Sequence, residues 1–199
     1  SYMKNRPYSS FADFMNKNHT TKLPTVNLIK SGAFDEVEGI PREKIMENYL
    51  DSIADKKQRL TLQNMQMLIN KELIPEEMAF YAKLFLFNKF LKTCKDGDNY
   101  ELNKAAINFI SNNVDADIID DGHLVEQKKW DKIYSKAMEP MRVYLKEHTN
   151  EMLAKLNGSL YEDVAVKYGK GSISKWEMES ISFYYHDHEL ESVKNYYDD

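Results

Sequence analysis

Glycine and proline are scarce, at 7 and 5 of 199 residues. Tight hairpins need a positive or preset φ, so few of them are expected. Cysteine is almost missing. Cys94 stands alone, which excludes an intramolecular disulfide framework and points to a reducing compartment. It has no paired His motif that would mark a reactive thiol. No apolar run approaches the roughly 18 residues that span a bilayer, so no membrane partner is expected. The opening SYMKNRPYSS lacks the apolar region of a signal peptide. A basic excess is also lacking: 27 Lys and Arg face 32 Asp and Glu, a net charge of −5. The chain as a whole is therefore not a polycation that coats nucleic acid. Repeats of fixed period and low-complexity tracts are absent.

What is present favours helix. Lys, Glu, Leu, Met, Asn and Ala dominate, and the expected fold class is all-α, an array of short helices. Ser9 or Ser10 caps a helix over FADFM. HTTKLPTV introduces the next, from about Pro24 to Ser31, with Gly32 at its C-terminal end. Pro41 opens a helix to about Lys57 whose apolar stripe is Ile45, Met46, Tyr49, Leu50 and Ile53. Thr61 suits the N-cap of LQNMQMLINK. Pro75, followed by two glutamates, begins PEEMAFYAKLFLFNKFLK, apolar nearly all round and expected at the centre of the core. KDGDNYE reads as a loop and LNKAAINFISNN as a short helix. VDADIIDDGHLV reads either as a strand pair or as an irregular acidic loop. From Gln127 to Leu156 the spacing predicts a long helix, kinked or split at Pro140 and ended at NGS. SLYEDVAVKYG forms another short helix. Ser174 and Glu177 make a capping box for the last one.

Charge is distributed in blocks. Residues 1–34 carry Lys4, Arg6, Lys17, Lys22 and Lys30 against Asp13 alone. Residues 96–127 are acidic, with Lys104 as the lone cation, and residues 128–175 turn basic again. A polyanion would approach the first or third block.

NLIKSGAFDEVEGIPREKI, residues 27–45, carries the main candidate site. Two helices joined by a glycine turn present backbone N–H groups and a positive dipole end, which suit a phosphate oxygen. The same pattern serves as an ordinary corner between helices. Asp115 and Asp117, in an acidic loop, have the spacing of a two-metal carboxylate pair, but no glycine-rich phosphate loop or basic clamp accompanies them. His186 and His188 with Glu189 lack a third His or Cys nearby, and structural roles are expected. TLQNMQML brushes against a sliding-clamp peptide at Gln63 but offers Gln66 and Leu68 where anchors are wanted. The ring series Phe80, Tyr81, Phe85, Phe87 and Phe90 could stack on bases, although its helical spacing suits a core.

RPYSSFADFM…LIKSGAFD…REKIMENYL resembles the segment after the fingers of bacterial DNA polymerase III alpha subunits, the C-family replicative polymerases. KWEMESISFYYHDHEL resembles a later segment of that family, with Glu177, Phe183, Tyr184 and His188 in register. Asp187 and Glu189 depart from its usual glycine and proline. Between the two matches the chain carries a long helical stretch similar to phage-encoded versions. The resemblance implies a helix-hairpin-helix part over residues 1–59, a helical insertion over 60–174, and a C-terminal helix over 175–199 completing the first part. It implies that an earlier hairpin and the magnesium-binding palm carboxylates lie upstream. The fragment would then hold no catalytic residue, metal ligand or cofactor, and its parent would be a DNA-directed DNA polymerase in a bacterial host cytoplasm. The expected partner is double-stranded DNA, bound without sequence preference. The candidate contacts are the backbone of Ser31, Gly32, Ala33 and Phe34 with the side chains of Lys22, Lys30, Arg42 and Lys44. Asp35, Glu36 and Glu38 oppose this. Further expected partners are the rest of the polymerase chain and replisome proteins. The alternative is a protein-interaction module docking a clamp or helicase. A metal hydrolase using the acidic loop is a third reading.

Overall fold

Ser10 begins the first helix as its composition suggests. Its Oγ accepts the amide of Asp13 at 3.0 Å, and the Asp13 carboxylate accepts the amide of Ser9 at 2.9 Å. That amide, with the Lys17 ammonium, holds the Asp13 carboxyl below its usual range. The computed structural model describes residues 7–18 and 21–194, with side chains as far as residue 183. The helices are α1 (Phe11–Lys17), α2 (Lys22–Lys30), α3 (Asp35–Glu38), α4 (Arg42–Ile53), α5 (Met65–Asn70), α6 (Ala79–Thr93), α7 (Lys104–Asn113), α8 (Gln127–Ala137), α9 (Glu139–Glu147), α10 (Thr149–Val164) and α11 (Ile173–Lys194). A small antiparallel sheet, ordered β1-β2-β3, is formed by Lys95–Asp96, Asn99–Glu101 and Leu124–Glu126. The fold is mostly α, as the composition implies.

The chain divides into two compact units. The first takes residues up to Lys56 and those from Ser159 onward; the second is Lys57–Gly158. In the first unit α2 buries Val26 and Ile29, and α4 buries Ile45, Met46, Tyr49 and Leu50, four of the five residues of the stripe its spacing predicts, with Ile53 half-buried. Phe14, Phe34 and Trp176 complete this core. Each such side chain contributes about 1.5–3 kcal/mol by leaving water. Phe34 meets Phe11 and Phe14 edge-on, with centroids 4.8 and 5.1 Å away. Burial pushes the Tyr49 phenol up. Residues 159–174, expected within the insertion, belong to the first unit. The reason is close packing: a π turn over Ala165–Gly169 lies on α4, and a Cβ on Gly169 would stand 2.6 Å from Leu50 Cδ1.

In the second unit α6 buries Leu84, Asn88 and Leu91. The Trp130 indole on α8 is fully buried and donates to Asn88 Oδ1 at 2.9 Å. Phe87 stacks on Phe109 at 4.1 Å and meets Trp130 edge-on at 5.6 Å. KDGDNYE is a hairpin, not a loop: Asp96-Gly97-Asp98 supplies a glycine at φ +58° between β1 and β2. In VDADIIDDGHLV, Asp115 caps a 3₁₀ turn over Ala116–Ile118, and the segment ends in β3, where Val125 pairs with Tyr100. Pro140 splits the long helical pattern, standing in the first turn of α9 where its missing N–H costs nothing. The NGS sequence does not end a helix, because α10 runs through it. Asn157 instead uses its amide on the other end of the unit. Its Oδ1 accepts the Lys57 amide at 2.7 Å, and its Nδ2 donates to the Lys57 carbonyl at 2.9 Å. The two chain termini of the second unit are thereby held side by side.

Asn157→Leu conserves volume but leaves both Lys57 groups without this partner. It should destabilise the chain by about 1–3 kcal/mol in urea unfolding, with faster hydrogen exchange at the Lys57 amide. Asn157→Asp, which keeps only the acceptor, should fall between the two.

Candidate functional site

The turn after α2 is built from its own backbone. The amide of Ser31 donates to Asn27 O at 2.9 Å, that of Gly32 to Ile29 O at 3.0 Å, and that of Ala33 to Leu28 O at 3.2 Å. These bonds close the C-terminal end of α2. Three of the four amides singled out in the sequence therefore already have partners. Phe34 sends its ring into the core, and Asp35 begins the short α3. The Glu38 carboxylate at the end of α3 accepts the amide of Phe11.

Arg42 organises the turn. Its guanidinium donates from Nη2 to Asp35 at 2.6 Å and from Nε to both oxygens of the same carboxylate. Its Nη1 donates to the Lys30 carbonyl and to Glu177, both at 3.0 Å. The side chain is only 12% exposed. The Asp35 hydrogen bonds, and behind them Glu177, raise its pKa further above an already high value. Lys30 is likewise withdrawn, its side chain 10% exposed and paired with Glu179 at 2.7 Å. Gly32 has φ +81°, and a Cβ there would collide with Arg42 Nη2 and stand 2.8 Å from Asp35 Oδ2. The glycine thus serves both the left-handed turn and the seat of the ion pair.

Of the eight candidate contacts, Lys22, Ser31, Ala33 and Lys44 are exposed. Lys44 pairs with Glu47 at 3.2 Å across an open helix face, a contact worth little in water. Lys30 and Arg42 are brought together at the turn, and both are spent on carboxylates. The sequence reading missed Glu177 and Glu179 as partners of this turn. The available signal was charge: a basic residue at each side of the turn and two acids near the start of the last helix.

The other candidates find structural settings. Asp115 Oδ1 accepts the Asp117 amide at 2.9 Å. Among the described residues no group of three His, Cys, Asp or Glu side chains is placed to hold a metal ion. Met65 and Leu68 of TLQNMQML are fully buried, so this helix spends its apolar side on the unit's own core. Phe80 and Phe90 are exposed, whereas Phe87 is half-buried against Phe109. Lys4, Arg6 and His19, and the side chains of Tyr184, His186, Asp187, His188 and Glu189, lie outside the described residues. No described helix is long and apolar enough to cross a membrane.

Comparison with known proteins gives a direct lead. The chain is 34% identical over 204 aligned positions to the probable DNA polymerase YorL of Bacillus subtilis (strain 168). It is equally similar to the DNA-directed DNA polymerase of Bacillus phage SPbeta. Each alignment covers 95% of this chain and 15% of the relative. The chain is similar to a segment of a DNA polymerase. It spans about one seventh of the length of these curated relatives. No family model matches the chain, and no solved structure matches it.

The Arg42 network predicts a specific pattern of stabilities. Arg42→Ala should cost about 1.5–3 kcal/mol, tempered by the exposure of its carboxylate partners. Gly39 also has a positive φ, but its Cβ would meet nothing. Gly39→Ala should therefore show backbone strain alone, about 1 kcal/mol. Gly32→Ala should cost that strain plus the displaced guanidinium. In an Arg42→Ala background the Gly32→Ala cost should fall to that of Gly39→Ala, as a double-mutant cycle by thermal or urea unfolding would read.

Proposed function

We propose that this chain is a non-catalytic, sequence-independent DNA-binding segment of a replicative DNA polymerase of the DNA polymerase III alpha type, in a phage-type version with a helical insertion. The observation that carries the reading is 34% identity over 95% of the chain to proteins named as DNA polymerases. The subtype is supported by the two stretches that resemble that family. They lie far apart in sequence, yet LIKSGAFD and REKI meet KWEMES through Lys30–Glu179 and Arg42–Glu177. Template-directed synthesis and its magnesium chemistry would belong to other parts of the longer protein, and double-stranded DNA would be the partner of this part.

In this reading the residues of the helix-hairpin-helix divide the work. Lys30, Gly32, Phe34 and Arg42 hold the turn in shape. Lys22 and Lys44 place exposed charge beside it, with Ser31 and Ala33 at the exposed surface between. Such contacts neutralise phosphates and release counterions without reading bases. A second reading, a protein-docking module for a clamp, a helicase or the rest of the polymerase, is favoured by one observation. Leu23, Met178 and Ile181 are 48, 71 and 69% exposed, and the first two line an open cavity of about 530 Å³.

Binding of the chain to a labelled duplex, followed by fluorescence anisotropy across a salt series, tests the DNA reading. Lys22→Glu/Lys44→Glu should weaken binding for every sequence alike and reduce the salt slope by about 2. Absence of binding by the unaltered chain at low salt would refute the DNA reading and leave the docking one.

A further inference from the structure

The four lysines of α8 are displayed differently from the cations at the turn. Lys128, Lys129, Lys132 and Lys136 are all exposed, and none of their ammonium groups forms an ion pair or hydrogen bond among the described residues. In contrast, Lys30, Arg42, Lys44, Lys56, Lys170 and Lys175 of the first unit are each within ion-pair distance of a carboxylate. At about 100° per residue the four α8 lysines fall within an arc of roughly 100°, over about 12 Å of helix axis. Trp130 and Tyr134 fall on the opposite side and stack on each other. The buried Trp130–Asn88 hydrogen bond fixes which way the helix faces.

The same face is free of opposing charge from its own helix. Asp131 is the one carboxylate within α8; it lies outside the lysine arc and accepts from the Tyr100 hydroxyl at 3.3 Å. Glu139, just after the helix, is paired with Arg142 at 2.9 Å. Glu126, just before it, is the acidic neighbour at the N-terminal end. α8 itself brings to this face neither an arginine fork for base edges nor an aromatic ring for stacking unpaired bases, and the Arg142 guanidinium at its edge is spent on the Ser135 carbonyl and Glu139. Its chemistry is therefore that of an unselective line of point charges, matched to a duplex backbone.

We infer that Lys128, Lys129, Lys132 and Lys136 form a contact site for the phosphodiester backbone of duplex DNA, located in the insertion and separate from the hairpin. The inference rests on the reading of the chain as a DNA-binding segment and assigns that function a second set of residues. The lysines need no ordering partner in the protein, so each is available to replace a condensed counterion. Binding at this site is independent of base sequence and falls steeply with salt.

The test uses the full chain, labelled duplexes of two unrelated sequences, and anisotropy at about 50 to 200 mM salt. The variant K128Q/K129Q/K132Q/K136Q should bind both duplexes about tenfold or more weakly at the lowest salt. Its slope of log affinity against log salt should be shallower by about 3 to 4. The corresponding four-Arg variant should keep the wild-type slope. The pairs K128Q/K132Q and K129Q/K136Q, with less change to the helix, should each lose about half of the slope difference. Wild-type affinity and slope in the four-Gln variant would overturn this assignment while leaving DNA binding by the chain intact. Failure of the unaltered chain to bind at the lowest salt would overturn both the site and the function on which it rests.

Discussion

One guanidinium sets the geometry of the first unit. Arg42 stands at the start of α4 and reaches the α2 C-terminal carbonyl, the first residue of α3 and Glu177 near the start of α11. A planar fork with several fixed donors can serve these directions together, whereas a lysine offers a single compact charge. The constraint propagates outward. Gly32 has to lack a Cβ because the guanidinium occupies that space, and Phe34 is delivered into the ring cluster because the turn closes tightly. The polar network and the apolar core lie on either side of the same few residues, so neither can shift without the other.

The second unit solves a comparable problem with a neutral pair. Asn88 is a buried amide in the middle of an apolar helix, a costly placement unless it is bonded. Trp130 supplies the bond and a large apolar surface at once. The pair locks α6 to α8 in one rotational setting. Because the ring points inward, the lysine-rich side of α8 is turned out by the same geometry that builds the core. Packing and surface charge on that helix follow from a single anchor.

Much of this was legible in the chain. The apolar stripe of α4, the Ser10 cap and the break at Pro140 follow from spacing and local chemistry. The glycine turn was also visible, but its occupant was not. A phosphate and a guanidinium–carboxylate pair both need a small residue, and only the fold brings Glu177 and Glu179 within reach. The KDGDNYE hairpin escaped because strands of two or three residues leave no periodicity to read. The continuation of α10 through Asn157-Gly158-Ser159 escaped for a different reason. A glycine and an Asn normally signal a stop, and here Asn157 is retained for a bond to a residue a hundred positions earlier. The lysines of α8 were readable as composition, but their freedom from carboxylates depends on where neighbouring helices lie.

The Asn157 clasp has a bearing on how the second unit tolerates change. A module whose entering and leaving segments are bound to one another presents its host with a gap spanned by one asparagine side chain and its two hydrogen bonds. The entropy of closing a long excursion is then met inside the module instead of being charged to the protein around it, and it grows only with the logarithm of length. Lengthening or shortening the helices beyond the clasp therefore changes the host's loop very little. The host core can tolerate great variation in what is carried between those two segments, provided that the amide that joins them is kept.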